Sequence, residues 1–319
     1  MNIANSYQLD PKTFEKQYKN HLSNFSSWDQ WEHADKWILI KKNIGKYLSI
    51  DEVALSKGEL YTIITNKANK GKKGSIVAIV EGTRVADIAS ILKNIKLKDR
   101  KIVIEVTLDM SPAMEAIVKK SFPRAYLTTD RFHVQQLTSE ATQEVRMSYR
   151  REAIKEENKA LKKAKKNGKK YVAQIYSNGD TKKQLLARSR HLVFKPRSKW
   201  SKSQKERAKI LFEEFPKIKK AYVLSMMFRN CYEVSNTIEE AKEKFNKWYI
   251  KVNESEIEEF NICVETIKAH EDTILNYFID RNTNAGAESF NAKIKGFRSI
   301  VRGVRDKKFF LFRIFKIYG

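Results

Sequence analysis

Two aspartates occupy positions where the surrounding residues predict buried β-strands. Asp109 directly follows a segment in which Ile104, Val106 and Leu108 place an apolar side chain at every second position, as expected for a strand with one buried face. Asp51 lies within an earlier predicted strand. A carboxylate at the tip of a buried strand is partly removed from water, which disfavours its charged form. This position favours a chemical role, although a strand-end aspartate is also explained as a cap or a turn residue.

The two carboxylates converge if their strands are neighbours in one sheet. Two carboxylates at close range repel each other, and a bound cation relieves that repulsion. Oxygen-only ligation suits Mg²⁺ or Mn²⁺, which keep some of their waters and accept substrate phosphate oxygens as further ligands. Two such ions about 3.5–4 Å apart can activate a nucleophile and stabilise the leaving oxygen of a phosphodiester. The pair Asp51 and Asp109 therefore indicates metal-dependent phosphodiester chemistry.

The predicted elements around these acids define the fold class. The apolar pattern predicts a meander of three antiparallel strands, then two further strands that are each preceded by a helix. The predicted strands span residues 47–53, 60–65, 75–80, 102–108 and 125–129, and the helices span residues 84–95 and 112–122. The order β-β-β-α-β-α-β predicts an α/β protein with a mixed sheet on which helices pack.

Helical patterns flank this sheet region on both sides. Residues 11 to about 45 predict helix, as do residues 134 to about 166, residues 201–280 and two C-terminal segments around a basic loop at 298–305. The chain therefore divides into an N-terminal helical segment (1–46), a sheet region (47–133), a helical insertion (134–281) and C-terminal helices (282–319). The predicted long helix ends in the run KALKKAKKNGKK, residues 159–170, which either contacts DNA or is a solvated helix end.

Composition indicates a folded protein with a polyanionic partner. The 319 residues include 63 Lys and Arg against 38 Asp and Glu, a net charge of +25, with 41% hydrophobic residues. Such an excess most often means nucleic acid; a ribosome-like or merely soluble basic protein is the alternative. The two cysteines form no CxxC pair, which argues against structural zinc. Without a signal-peptide pattern or an apolar run long enough to cross a bilayer, we expect an intracellular protein with no membrane partner.

Four stretches in order resemble a known family: SIDEVALSKGELYT, TLDMSPAM, TTDRFHVQQL and NTNAGAESFNAKIKGFRS. Together with HLVFKPRSKWSKSQKERAKILFEEFPKIKKAY, they resemble a DDE transposase of bacterial insertion sequences, of the ISL-three type. That group is similar to mutator-like and hAT transposases in carrying a C/DxxH signature, which corresponds here to Asp130 and His133. The likeness covers about residue 45 to the end of the chain.

The resemblance implies a ribonuclease H-like fold interrupted by an all-helical insertion, with the C-terminal helices completing the catalytic domain. It implies that Asp51, Asp109 and Glu288 are the catalytic residues and the ligands of Mg²⁺ or Mn²⁺, with two ions bound. Taken alone, Glu288 is also explained as a first-turn glutamate favoured by the helix dipole. Asp130 and His133 are supporting residues. Asp130 is the alternative second metal ligand, and His133 is also explained as a satisfied histidine at the start of a helix.

The resemblance further implies a transposase catalytic subunit that cleaves DNA at the ends of an insertion sequence and joins them to target DNA. Its partners are then double-stranded DNA and a second copy in the synapsis of two ends, in the bacterial cytoplasm at the nucleoid. Since no cysteine-rich zinc module precedes Asp51, a separate DNA-binding protein or the helical insertion is expected to recognise the ends. The alternatives are a non-catalytic basic DNA-binding protein, such as a decayed transposase, and a structure-selective ribonuclease H-like nuclease. The predicted DNA-binding residues are Asn291, Lys295, Arg298, Arg302 and Arg305.

Overall fold

A computed structural model of the chain describes residues 3–55, 58–281, 285–300 and 306–319. It separates into two units, the first made of residues 1–130 and 282–319 and the second made of residues 131–281. The first unit is therefore discontinuous in sequence, and the second is inserted into it. Each unit contains its own set of buried apolar side chains.

The first unit contains a mixed sheet of six strands in the order β1-β4-β3-β2-β5-β6. The strands are β1 (Trp37–Leu39), β2 (Tyr47–Ala54), β3 (Leu60–Asn66), β4 (Ile76–Glu81), β5 (Glu105–Leu108) and β6 (Tyr126–Thr129). The pairs β1–β4, β4–β3 and β3–β2 are antiparallel, whereas β2–β5 and β5–β6 are parallel. The predicted mixed α/β architecture is confirmed, with one strand more than the sequence indicated.

Helices connect and cover these strands and build the second unit. In the first unit they are α1 (Ile3–Ser6), α2 (Pro11–Gln17), α3 (Val85–Leu92), α4 (Leu97–Arg100) and α5 (Pro112–Ser121). The second unit contains α6 (Arg131–Lys166), α7 (Lys182–Arg188), α8 (Lys202–Glu214), α9 (Pro216–Val234), α10 (Ile238–Ser255), α11 (Asn261–Ala269), α12 (Glu271–Leu275) and α13 (Tyr277–Asp280). The chain then returns to the first unit with α14 (Ala285–Ile300) and α15 (Lys307–Tyr318).

The two faces of the sheet bury different helices. On one face, sheet residues such as Val53 and Ile63 pack with Phe290 of α14 and Phe312 of α15. On the other face, residues such as Ile50 pack in one cluster with apolar side chains of α3 and α5. Because side chains alternate along a strand, Ile50 and Val53 point to opposite faces, and Asp51 shares the face of Val53 and α14.

The N-terminal segment differs from its prediction. After α1, the N-terminal segment contains only α2, a π-helical turn at Tyr18–Leu22 and a 3₁₀ turn at Lys41–Asn43. Residues 23–36 form no helix. The edge strand β1 follows and pairs with β4. The aromatic residues that suggested a helical face instead pack on α15: the ring centroids of Phe25 and Trp28 each lie 5.2 Å from that of Phe312. The helix predicted over residues 11–45 was therefore right only for its first part, residues 11–22, and wrong beyond it.

The second unit is entirely helical apart from one isolated β-bridge in its described residues. Its longest element, α6, has 36 residues, and its buried positions include Val134, Ala141, Val145 and Ala153. Beyond Ala153 the helix buries no side chain, so its lysine-rich end is solvated. The core of the unit is aromatic, with fully buried rings at Phe228, Phe245, Trp248 and Phe260. No described helix combines the length and apolarity that crossing a membrane requires.

Candidate active site

Asp51 and Asp109 lie at the same edge of the sheet, on neighbouring parallel strands. In the pairing of β2 with β5, Ser49 lies opposite Thr107. Extending that register by two residues beyond the last pair would align Asp51 with Asp109 on one face of the sheet. The charges of both aspartates raise the pKa of Glu52, which agrees with a short distance between the two carboxylates.

Asp130 extends this pair into a row. In the pairing of β5 with β6, Leu108 lies opposite Thr129, so the next position aligns Asp109 with Asp130. The backbone N–H of Asp130 donates to the carbonyl oxygen of Leu108 at 2.8 Å, which continues the ladder to this point. Asp130 is buried, with 2% of its surface exposed. We call Asp51, Asp109 and Asp130 the aspartate row.

Helix α14 supplies two polar side chains to this site. Glu288 lies in its first turn and is half-buried, and Asn291 lies three residues later on the same helical face. The side-chain Nδ2 of Asn291 donates to Oδ2 of Asp51 at 2.6 Å. Oxygen atoms of Asp130 and Glu288 that are suited to bind a metal lie within 4.8 Å of each other. The helix therefore adds a fourth carboxylate and an amide to the aspartate row.

Local backbone groups orient the two half-buried aspartates. Oδ1 of Asp51 accepts a hydrogen bond from the N–H of Glu52 at 2.8 Å. Oδ1 of Asp109 accepts one from the N–H of Ser111 at 3.0 Å, and Pro112 then begins α5. Proline suits the first helical position because its missing N–H would be unpaired there anyway. The short turn between β5 and α5 thus aims Asp109 and starts the helix.

The three predicted catalytic carboxylates do not form one tight cluster. In the described part of the chain, Asp51, Asp109 and Glu288 are not grouped with ligand atoms all within 4.8 Å of one another. A pair of ions about 3.5–4 Å apart, each bound at about 2.0–2.1 Å, is compatible with wider spacing between the outer ligands. The spacing of Asp51, Asp109 and Glu288 therefore fits a site in which two ions share these three ligands better than a site in which all three bind one ion.

The electrostatics at the edge of the sheet reflect this concentration of acids. Burial raises the pKa of Glu52, and the negative charges of Asp109 and Asp51 raise it further. The aspartates therefore lie close enough to make ionisation of their neighbour less favourable. Since a divalent cation would lower this cost for every acid around it, the site has the negative potential that favours such an ion.

Buried polar residues lie beneath the aspartate row on the same face of the sheet. Ser49, Thr107 and Thr128 occupy the register positions two residues before the three aspartates and are 1%, 0% and 1% exposed. Glu105, which is 1% exposed, accepts hydrogen bonds from Thr107 Oγ1 at 3.0 Å and from Lys67 Nζ at 3.1 Å. The sequence analysis missed this network, although the polar residues at alternate positions 105, 107 and 109 were a signal for it.

The predicted DNA-contacting residues have different environments. Lys295 is exposed on α14. Arg298 instead forms two hydrogen bonds with the carboxylate of Glu59 at 2.9 and 3.1 Å and is 7% exposed, so its guanidinium holds the first unit together. Asn291 is also buried and contacts Asp51. Arg302 and Arg305 lie outside the described residues.

His133 belongs to the second unit, in the first turn of α6, where its ring is half-buried and packs edge-on against Phe132 at a centroid distance of 5.6 Å. Its predicted neighbour in the signature, Asp130, ends the sheet of the first unit. The α6 helix thus starts directly after the last member of the aspartate row.

The donor atoms at this site fit a hard divalent cation. All four carboxylates, Asp51, Asp109, Asp130 and Glu288, offer oxygen, the ligand that Mg²⁺ and Mn²⁺ prefer. In addition, Oδ1 of Asn291 is buried and has no hydrogen-bond partner in the described part of the chain. A buried polar atom of this kind is expected to meet a partner that arrives with a ligand. The residues present therefore have the donor chemistry that a divalent ion requires.

Comparison with known families identifies the class of protein that carries this sheet and this site. Residues 48–314 match a family model described as transposase, DDE_Tnp_ISL3. The match covers well over half of the chain, and the chain belongs to the ISL-three type of DDE transposases. A comparison with curated proteins gives no match.

Proposed function

We propose that this transposase is a metal-dependent catalytic subunit that cleaves DNA phosphodiesters at insertion-sequence ends and joins the freed 3′ ends to target DNA. The parallel pairing of β2 with β5, which ends two residues before Asp51 and Asp109, is the observation that carries the proposal. Two carboxylates that follow paired strand positions would be held by the sheet before substrate arrives. Such preorganisation is what a site for in-line phosphoryl chemistry requires.

We propose further that the first unit has a ribonuclease H-like fold. The meander β2-β3-β4, followed by two parallel strands on the other side of β2, supports this assignment. The long helical interruption between β6 and α14 supports the proposed insertion of residues 134–281. Residues 47–133 and 282–319 then form one catalytic domain, preceded by the segment 1–46.

In the proposed mechanism, Asp51, Asp109 and Glu288 hold two Mg²⁺ or Mn²⁺ ions, and Asp130 is a further acid within reach of Glu288. The bound ions would supply Lewis acidity to the phosphodiester and lower the pKa of the attacking water or hydroxyl. Hydrogen bonds from the N–H of Glu52 and from Asn291 orient Asp51, and one from the N–H of Ser111 orients Asp109. The oxygens of these two carboxylates are thus aimed without a large loss of side-chain entropy.

DNA is the proposed substrate and partner. The net charge of +25 supports binding to phosphates in general, and exposed Lys295 on the helix that carries Glu288 is the best placed of the predicted contacts. The proposal also includes contact between DNA and Arg302 and Arg305. We also propose that two copies act together, since two ends must be joined, and that a separate protein supplies end recognition.

A nicking assay tests the proposed chemistry. Purified protein, donor DNA with the element's terminal repeats and Mg²⁺ or Mn²⁺ should give strand cleavage that Asp109→Asn lowers by at least ~10³-fold, since metal-based charge stabilisation is worth several kcal/mol. Asp109→Asn should still bind DNA, because phosphate contacts dominate affinity. Asp87→Asn, at an exposed acid on α3, is the matched control and should cleave normally.

Three outcomes separate this proposal from the alternatives. Cleavage with transfer of the ends into a target plasmid supports the transposase. Cleavage of structured DNA without transfer identifies a nuclease. DNA binding without metal-dependent cleavage of either the terminal repeats or a supercoiled plasmid, whose nicking needs no end recognition, identifies a non-catalytic binder. A gel shift with terminal repeats against random duplex tests the separate recognition protein, because strong end preference by this chain alone would contradict it.

A further inference from the structure

Asn291 is buried against the acidic site and is only partly satisfied there. It lies one turn after Glu288 on α14 and is 7% exposed. Its Nδ2 donates to Oδ2 of Asp51 at 2.6 Å, while Oδ1 of Asp51 accepts from the N–H of Glu52 at 2.8 Å. Each oxygen of the Asp51 carboxylate therefore has a donor, and Asn291 supplies one of the two from across 240 residues of sequence.

The other end of the same amide has no partner. Oδ1 of Asn291 is buried and accepts no hydrogen bond in the described part of the chain. Leaving a buried acceptor unpaired costs free energy of folding. The bond that Nδ2 donates to the charged Asp51 contributes a stabilisation of similar size. For folding alone, the amide thus gains little, and the unpaired oxygen is better explained by a ligand.

The chemistry of the neighbouring groups identifies what Oδ1 meets. Mg²⁺ and Mn²⁺ bound to one or two carboxylates keep several waters, and each of these waters donates hydrogen bonds outward. Because Oδ1 and Nδ2 share one amide carbon, Oδ1 lies within a few ångströms of the Asp51 carboxylate that would hold an ion. An amide oxygen there accepts a hydrogen bond without adding another negative charge to a site that already contains four acids.

We propose that Asn291 is a positioning residue of the metal site: Nδ2 fixes the Asp51 carboxylate, and Oδ1 accepts a hydrogen bond from the hydration shell of the cation that Asp51 binds. This inference rests on the proposed function, because it requires a divalent ion at Asp51. It replaces direct DNA contact as the role of Asn291. Groups that orient metal ligands in this way typically change metal affinity by 10–100-fold.

Binding of Mn²⁺ to the full-length protein without DNA tests the proposal independently of catalysis. Calorimetric titration should give an affinity for Mn²⁺ that Asn291→Ala weakens by about 10–100-fold. Asn291→Leu is similar in volume but can neither donate to Asp51 nor accept from a metal-bound water. It should therefore weaken Mn²⁺ binding by a similar factor of about 10–100.

Asn43 provides the matched control. Asn43 is 8% exposed, so it is about as buried as Asn291. Its Nδ2 donates to the backbone carbonyl oxygen of Ile76 at 2.8 Å and not to a member of the aspartate row. Asn43→Ala should lower the unfolding temperature while leaving Mn²⁺ affinity unchanged. A merely structural role for Asn291 predicts the same behaviour for Asn291→Ala, and that result would overturn the proposal.

Two further outcomes are distinguishable. If Asp51→Ala abolishes Mn²⁺ binding while Asn291→Ala and Asn291→Leu bind as the wild type does, the metal site stands and the role of Asn291 is refuted. If Asp51→Ala itself binds Mn²⁺ normally, the ion is elsewhere and both proposals are refuted. Should Asn291→Ala fail to fold, Asn291→Leu decides the question, and an Mn²⁺ affinity equal to that of the wild type refutes the inference.

Discussion

Arg298 and Glu59 form an ion pair joined by two hydrogen bonds, with side chains only 8% and 11% exposed. The guanidinium also lies 5.0 Å from the ring centroid of Phe310 on α15. This ion pair links α14, the helix that carries Glu288, to the segment that precedes β3. Its position gives Arg298, a basic residue in a predicted DNA-binding stretch, a contact within the fold.

Replacing Arg298 should destabilise the first unit strongly. Arg298→Met leaves the Glu59 carboxylate buried without its partner, so we expect a loss of about 3–5 kcal/mol in the free energy of unfolding. The double change Arg298→Met with Glu59→Gln should recover most of it, because no unpaired charge then stays buried. Lys295→Met, at an exposed position on the same helix, should change stability by less than about 0.5 kcal/mol. Urea denaturation measures all three, and equal midpoints for Arg298→Met and Lys295→Met would contradict the assigned role.

Glu52 should make the metal-free protein less stable as the pH rises. Burial first, and then the charges of Asp109 and Asp51, raise its pKa. A group with a raised folded-state pKa contributes stability that is present at low pH and is lost as the pH rises through that pKa. Glu52→Gln stays uncharged, so with EDTA present it should unfold at a higher temperature than the wild type at pH 7, and the difference should vanish near pH 4. Glu265→Gln, at an exposed residue of α11, changes the net charge equally and should show no such pH-dependent gain.

Asp180 should stabilise the helical second unit through a buried network. Its side chain is 0% exposed and accepts from Arg188 Nη1 and, at 2.9 Å, from Arg207 Nε. Burial raises the pKa of Asp180, but the hydrogen bonds and charges of the two arginines outweigh it and lower the pKa overall. Asp180→Asn should therefore cost about 1.5–3 kcal/mol at neutral pH, the usual contribution of hydrogen bonds to a charged group, because the arginines left behind remain partly solvated.

The pH dependence of that loss has a defined sign. A lowered pKa contributes stability above the ordinary carboxyl pKa of 3.8, and the contribution is lost as the pH falls through the folded-state value. The difference between wild type and Asp180→Asn, followed by far-ultraviolet circular dichroism in urea, should thus narrow below about pH 4. A difference that stays constant down to pH 3 would show that the variant acts through packing instead of charge.

Local patterns predicted the central strands because those strands bury one or both faces along their whole length. The predicted strands at 47–53, 60–65 and 75–80 correspond closely to β2, β3 and β4. The strand predicted at 102–108 begins only at Glu105, and Ile104 is 39% exposed. The edge strand β1 was missed because three consecutive residues, Ile38, Leu39 and Ile40, are all buried, so no alternation marks it.

The site was less accessible from sequence because its contacts are non-local. Strand periodicity singled out Asp51 and Asp109, and pairing of β2 with β5 explains why they come together. By contrast, no spacing rule connects Asn291 to Asp51, since the contact depends on how α14 packs on the sheet. Sequence alone does not connect Arg298 to its partner Glu59 for the same reason, since the two are 239 positions apart.

The lysine-rich end of α6 should add to DNA affinity in a salt-dependent way. Lys162, Lys163, Lys165 and Lys166 are all exposed, and α6 buries no side chain beyond Ala153. If each lysine neutralises one phosphate, changing all four to Gln should reduce the slope of log K against log salt concentration by up to about 3.6, at about 0.9 per contact. The control changes four other exposed lysines to Gln: Lys93, Lys96, Lys119 and Lys120. These lysines lie in or near α3 and α5, the helices that pack on the sheet face opposite the aspartate row. Fluorescence anisotropy at several salt concentrations measures both slopes. Equal slopes for the two quadruple variants would mean that the end of α6 is only a solvated helix terminus.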